Sequence, residues 1–320
     1  MTAEASDEKV SGGTCVYVIG MHRSGTSAAT GLLCHLGLGA PVSGDLLTPT
    51  ESNERGFWES RSLNQFDERL LERLGGRWLA PPLLPKGWEN DSWLAPLKSE
   101  ARSTFSAAFG PRPVAWKDPR ASVLLPFWNS VIEPPVAAVL VYREAFEVAS
   151  SLNRRDGLRM THGLALWERY LRSSIANLEG VPTFVMSYAS LLDKPEKTCD
   201  ELIGFLTEVS VTVDGSSIDK GLAFLSGELR HERKKSLSSA ALPSIRYLEE
   251  TVESLDGSHQ PFEPPDLGAE PAWVDDTLGA WRDLEKLKTD TYNLYLSRPM
   301  RLARAFRGLH RPFSGRRAGK

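Results

Sequence analysis

Five residues within one short stretch have the types and spacing of an anion-binding turn: Gly20, Arg23, Gly25, Thr26 and Ser27. They lie in VYVIGMHRSGTSAATGLL, residues 16–33, which holds the G-x-x-x-x-G spacing of a Walker A loop but has Thr26 where that motif has lysine. A glycine-bounded turn between a strand and a helix points successive backbone N–H groups and the positive end of the helix at an anion, and none of that needs a lysine. The Walker lysine has a narrower task, reaching the β- and γ-phosphates while Ser or Thr holds Mg²⁺. Its loss disfavours triphosphate hydrolysis, and no run of four apolar residues ending in Asp offers a metal-holding partner strand. The turn instead suits a single phosphate or phosphosulfate, to which Arg23 adds planar, permanently charged donors.

The elements around this turn are those of an α/β protein. CVYVIG (15–20) is a short β-branched run ending at glycine and predicts a buried parallel strand. Further strands are predicted at 113–116, 136–142 and 182–186, and helices at 24–37, 144–154, 162–178 and 195–206. Such alternation predicts a P-loop-NTPase-like, doubly wound parallel sheet, in which ligands bind beyond the carboxyl ends of the strands. Gly20, Lys117 and Arg143 each fall just past such an end. Residues 40–112 are rich in Pro, Trp and Gly, with helices expected only at 61–74 and 95–109, and read as an insertion over the site. Residues 215–297 read as a helical part, broken by the Pro-rich stretch 261–271 before a long helix at 273–297. The expected organisation is a disordered N-terminus (1–13), one domain (14–297) and a basic tail (298–320).

The chain has 320 residues and a formal net charge of −3, but the charge is uneven. Residues 298–320 hold eight Lys or Arg and no acid, leaving 30 basic against 41 acidic residues before them. An acidic body argues against a general nucleic-acid binder. Leu302, Phe306, Leu309 and Phe313 share one helical face of the tail and Arg298, Arg301, Arg304 and Arg307 another. The tail therefore reads either as a peripheral membrane contact or as a solvated segment. Cys15, Cys34 and Cys199 form no metal or disulfide spacing, the acidic N-terminus is unlike a signal peptide, and no apolar run is long enough to span a bilayer. A cytoplasmic protein is expected, with peripheral membrane association through the tail as the alternative.

HRSGTS (22–27) resembles the 5′-phosphosulfate loop of sulfotransferases that use 3′-phosphoadenosine 5′-phosphosulfate (PAPS), closest to the "PRSGT" form of tyrosylprotein and bacterial carbohydrate sulfotransferases. His22 replaces the usual proline, as in the bacterial "GMHRSGTS" group. VLVYREAFEVASSL (139–152) is similar to the family's 3′-phosphate element, with Arg143 at a strand end and Ser151 eight residues later. WKDPR (116–120) resembles the KDP segment, whose lysine lies near the leaving phosphate. FVMSYASLL (184–192) is similar to the segment whose tyrosine, here Tyr188, packs near adenine, although Ala189 replaces its acidic residue. RHERKK (230–235) is set against the basic loop over the 3′-phosphate.

The resemblance implies a cosubstrate, PAPS, held by His22, Arg23, Ser24, Gly25, Thr26, Ser27, Arg143, Ser151 and Tyr188, with no metal. It implies in-line transfer of the sulfonate to an acceptor hydroxyl, with Arg23 and Lys117 on the sulfonate and leaving phosphate. The acceptor needs a base. By analogy with family members that use a glutamate, TESNERGFWES (50–60) offers Glu51, Glu54 and Glu59. Glu59, flanked by Trp58 and Ser60, is favoured, Glu54 and Glu51 stay open, and Asp118 is an outside candidate. The expected acceptor is a carbohydrate, glycolipid or glycosylated metabolite.

Taken singly, these residues have plainer readings. Arg143 is equally a helix-entry residue, Lys117 and Asp118 a structural ion pair, and the glutamates solvated surface. Trp78, Trp88 and Trp93 read as core of the insertion before they read as a sugar platform. Two other functions fit the loop: a P-loop small-molecule kinase, and a catalytically silent nucleotide-binding protein.

Overall fold

The computed structural model describes residues 13–48, 56–110, 113–133, 136–226 and 242–296. Glu51, Glu54, the 230–235 segment, the expected disordered residues 1–12 and the basic tail lie outside the described residues.

Strands β1 (Cys15–Ile19), β2 (Val114–Lys117), β3 (Val136–Tyr142) and β4 (Thr183–Ser187) run parallel in the order β2-β1-β3-β4. A fifth strand, β5 (Gly257–His259), pairs antiparallel with β4, so the sheet is mixed rather than wholly parallel as the sequence predicts. Gly-Ser-His has none of the β-branched or aromatic character that marks a strand, and β5 is held only as an edge. Register brings the strand ends level: Val18 lies beside Lys117 on one side and Val139 on the other. Chain order reverses at β1, with β2 on one side and β3 on the other, which makes the β1/β3 end the switch point where ligands bind in such sheets.

Helices follow the strands: α1 (Thr26–His35), α2 (Arg61–Arg73), α3 (Ala95–Ala108), α4 (Ala121–Asn129), α5 (Ala145–Asp156), α6 (Met160–Asn177), α7 (Tyr188–Asp193), α8 (Pro195–Glu208), α9 (Ile218–Ser226), α10 (Pro243–Ser254) and α11 (Ala272–Leu296). Local chemistry sets several ends. Ser60 and Ser187 cap α2 and α7 by accepting from Leu63 N–H and Ser190 N–H, Pro195 opens α8, and left-handed Gly157 closes α5. The sequence reading did not anticipate α4, because ASVLLPFWN is apolar all round and contains Pro126, so it shows no helical period.

Strand alternation sends Val16, Val18, Val139, Val141 and Met186 into a core shared with Leu32 of α1, Leu202 and Phe205 of α8 and Leu225 of α9. Full burial of each such side chain contributes about 1.5–3 kcal/mol. On the opposite face Tyr17 and Trp116 meet an aromatic cluster of Phe105 and Trp128 from α3 and α4. Among the described residues, those up to Leu278 form one compact unit and those from Gly279 belong to a second, the division falling within α11. No described helix is long and apolar enough to cross a membrane.

Candidate anion-binding site

The turn between β1 and α1 is wound through three left-handed residues, Gly20 (φ 138°), Arg23 (φ 71°) and Gly25 (φ 95°). Positive φ at an arginine is uncommon and is kept where surrounding structure enforces it. Both glycines are required by close approach. A Cβ on Gly20 would lie 2.1 Å from the Val141 carbonyl oxygen, and one on Gly25 2.1 Å from Cδ2 of Tyr188. No side chain caps α1 at Gly25, so the end of a mostly buried helix is left to another partner. Ser24 is 1% exposed, and its buried hydroxyl has no hydrogen-bond partner. The Gly20 N–H donates to Ser122 Oγ of α4 at 3.0 Å, which anchors the start of the turn.

Arg143 and Ser151, from the end of β3 and from α5, meet this turn. Arg23 Nε donates to Ser151 Oγ at 2.9 Å, and Arg143 Nη1 donates to the Arg23 carbonyl at 3.4 Å. The Arg143 guanidinium lies 5.0 Å from the Tyr188 ring centroid and is held by Glu147 one helical turn on, Nε to Oε2 at 2.6 Å. Tyr188 thus touches both the turn and the arginine. Burial, then the Arg155 and Arg143 charges, lowers the Arg23 pKa from its ordinary value. Three guanidinium groups of like charge are gathered here, an arrangement suited to an anion.

Lys117 brings an ammonium beside Ser27 of the turn. From the end of β2 its ammonium donates to Ser27 Oγ at 3.2 Å, to the Phe57 carbonyl at 3.1 Å, and to Glu59 Oε1 in a short ion pair. Lys117 and Glu59 are 3% and 6% exposed. The second Glu59 oxygen accepts from Asn64 Nδ2 at 2.8 Å, and the cap of α2 at the next residue fixes the segment. The partner of Glu59 is therefore a buried lysine, not the adjacent Trp58 ring, which packs against His35 and Phe224. Lys117 pairs with Glu59 rather than with Asp118, whose Oδ1 accepts from Arg120 N–H and Nη1.

His22 projects to the other side of the turn, its ring 4.6 Å from Trp78 and 5.7 Å from Tyr170. Trp78 lies between α2 and α3 and is held there by α6. Tyr170 Oη donates to the Trp78 carbonyl at 2.9 Å, His162 Nε2 is 2.7 Å from the Leu79 carbonyl, and Arg169 Nη1 donates to the Pro81 carbonyl at 2.7 Å. Arg169 is fully buried and also binds Glu270 and Asp275. Trp88, by contrast, is core, stacked on Phe127, and Trp93 is exposed.

Ser122, Asn64, Arg155 and Asp67 are absent from the sequence reading. Asp67, fully buried on the inward face of α2, accepts from Trp128 Nε1 at 2.9 Å while its Oδ2, like Asp118 Oδ2, has no partner. Burial, then the Asp118 charge, holds its carboxyl well above the usual range. A charged residue at an apolar position of α2 was a visible signal; Arg155, one of two adjacent arginines at a helix end, offered none. Among the described residues no group of three or more His, Cys, Asp or Glu is placed to hold a metal ion.

No family model and no curated protein matches the chain. Among solved structures it is similar to the sulfotransferase domain from the Synechococcus PCC 7002 olefin synthase, with 17% sequence identity, 88% of this chain and 98% of that one covered, and a TM-score of 0.41.

Proposed function

We propose that this chain is a sulfotransferase that moves the sulfonate of PAPS to a hydroxyl group of a carbohydrate, glycolipid or glycosylated metabolite. One observation carries the reading: the 2.9 Å hydrogen bond from Arg23 to Ser151, which joins the glycine turn and the Arg143–Ser151 element in one crevice at the β1/β3 end of the sheet. Two anion-binding elements that close together match a nucleotide phosphorylated at both ends of its ribose. The residues present fit such a group, since the turn offers an uncapped helix end and the unpartnered Ser24 hydroxyl.

Bound there, PAPS supplies an activated sulfonate and leaves as adenosine 3′,5′-bisphosphate. The turn from His22 to Ser27 holds the 5′ end, Arg143 and Ser151 hold the 3′-phosphate, and Tyr188 walls the crevice. Arg23 and Lys117 place fixed positive charge where negative charge grows during in-line displacement. Glu59 takes the acceptor proton at a carboxylate oxygen, as Lys117 shifts from Glu59 toward the 5′ end. Trp78, held beside the turn, supports a sugar-bearing acceptor.

An acceptor screen with radiolabelled PAPS tests this. Transfer to glycans or glycolipids is expected, with a loss of about 10²–10³-fold in Arg23→Ala, typical of a lost oxyanion donor, and 10²–10⁴-fold in Glu59→Gln. Mg²⁺-dependent ATP binding in calorimetry with no response to the bisphosphate overturns the reading in favour of a kinase. Full turnover in Glu59→Gln with loss in Glu54→Gln reassigns the base.

A further inference from the structure

Helix α11 carries two apolar stripes. Near its start Val274 and Leu278 are fully buried. Further along, Leu284, Leu287 and Leu294 form a second stripe, centred about 150° around the helix from the first at 3.6 residues per turn. These three leucines are 49%, 62% and 63% exposed. Large apolar side chains repeated along one exposed stripe mark a contact surface rather than chance surface leucines.

The spacing is that of a coiled-coil seam. With Leu284 and Thr291 at a, and Ala280, Leu287 and Leu294 at d, every a and d position from 280 to 294 is apolar or threonine. The outward b, c and f positions from 282 to 293 are polar apart from Tyr292. The flanks decide the partner. All three g positions, 276, 283 and 290, are aspartate, and Lys288 holds an e position. An antiparallel pair of such helices sets aspartate against aspartate. A parallel pair sets Asp283 beside Lys288 of the partner subunit, twice by symmetry. Lys288 is now bonded to Glu285 one turn back, Nζ to Oε1 at 2.6 Å, an exposed pair of a kind that contributes little and exchanges readily. A helix of about two heptads is marginal in water by itself, but α11 is 25 residues long and its first turns are already packed, so association bears no nucleation cost.

We propose that this stripe of α11 binds a second copy of the chain as a parallel, two-stranded coiled coil. Leu284, Leu287 and Leu294 form its seam and Asp283 with Lys288 of the partner subunit its flanks. Leucine at d with a β-branched residue at one a position suits two strands rather than more. The claim is independent of the nucleotide site, which bisphosphate binding tests separately.

The test is analytical ultracentrifugation of the full chain over a range of micromolar concentrations. At the upper end it should sediment at twice its 35.4 kDa mass. Leu287→Asp should sediment as a single chain. Tyr292→Asp, at a residue just as exposed (62% each) but off the seam, should stay dimeric. Asp283→Lys should weaken the dimer by about two- to thirtyfold, since two exposed ion pairs are lost, and adding Lys288→Asp should restore it. All four positions are exposed, so the variants leave the core intact. A single-chain mass at every concentration overturns the proposal, whatever then covers the stripe, and so does a dimer that survives Leu287→Asp or is lost equally in Tyr292→Asp. A dimer unmoved by Asp283→Lys, or not restored by the second change, overturns the parallel pairing.

Discussion

At the scale of single residues the site depends on what is missing from a side chain as much as on what is present. Gly25 has no Cβ, and that absence lets Tyr188 lie against the turn at a left-handed φ. Gly25→Ala brings a methyl into the Tyr188 ring and adds backbone strain of about 1–2 kcal/mol. Urea denaturation should show a loss of at least that size, with bisphosphate affinity reduced; unchanged stability and affinity would mean that the turn relaxes freely. The glycine turn with Arg23, and the place of Arg143 at a strand end, were legible because turn chemistry and strand prediction are local properties; Ser151 was singled out only by the resemblance, and its bond to Arg23 is a product of the fold. The pairing of Lys117 with Glu59 was not legible, since the two are 58 residues apart and only the folded sheet end brings them together. The same holds for the close fit of Tyr188 under Arg143.

At the scale of elements, α6 holds the 78–81 segment in place. Its Tyr170, His162 and Arg169 bind three carbonyls of the 78–81 segment, and Arg169 does so as a fully buried cation with two acidic partners. Removing one member of a buried charged network strands the others, at about 3–5 kcal/mol. Arg169→Ala should therefore lower stability by that order in chemical denaturation and free Trp78 from His22, visible as a change in tryptophan fluorescence. A loss below 1 kcal/mol would put the network among weak surface pairs. The buried carboxyls between α2 and β2 make a second prediction. Asp67 has a raised pKa in the fold, so above the unfolded value of about 3.9 the native state binds more protons than the unfolded chain, and stability falls as pH rises through that window. Asp67→Asn removes this slope, up to about 1.4 kcal/mol per pH unit. Parallel stability-against-pH curves for the two proteins would contradict it. Helices with a regular apolar stripe, such as α2, α3 and α8, were legible within a few residues; α4 and β5 were not, because their place is set by tertiary packing.

At the scale of the molecule, an acidic chain of net charge −3 concentrates cations at one end of its sheet. Arg23, Arg143, Arg155 and Lys117 come from four segments, and topology alone assembles them, at the place where strand order reverses. The sheet order itself was not legible, since pairing between distant strands leaves no local mark, whereas the carboxyl-end position of Gly20, Lys117 and Arg143 followed from strand prediction alone. The central claim is that the glycine turn and the Arg143–Ser151 element hold opposite ends of one nucleotide. The most direct measurement compares affinities for adenosine 3′,5′-bisphosphate and adenosine 5′-monophosphate in the wild type and in Arg143→Ala. A charge-assisted hydrogen bond contributes about 1.5–3 kcal/mol, so the wild type should prefer the bisphosphate by about ten- to a hundredfold. Arg143→Ala should bind the two nearly alike, with its affinity for the monophosphate little changed. A wild type that binds both equally, or a preference that survives in Arg143→Ala, would contradict the account.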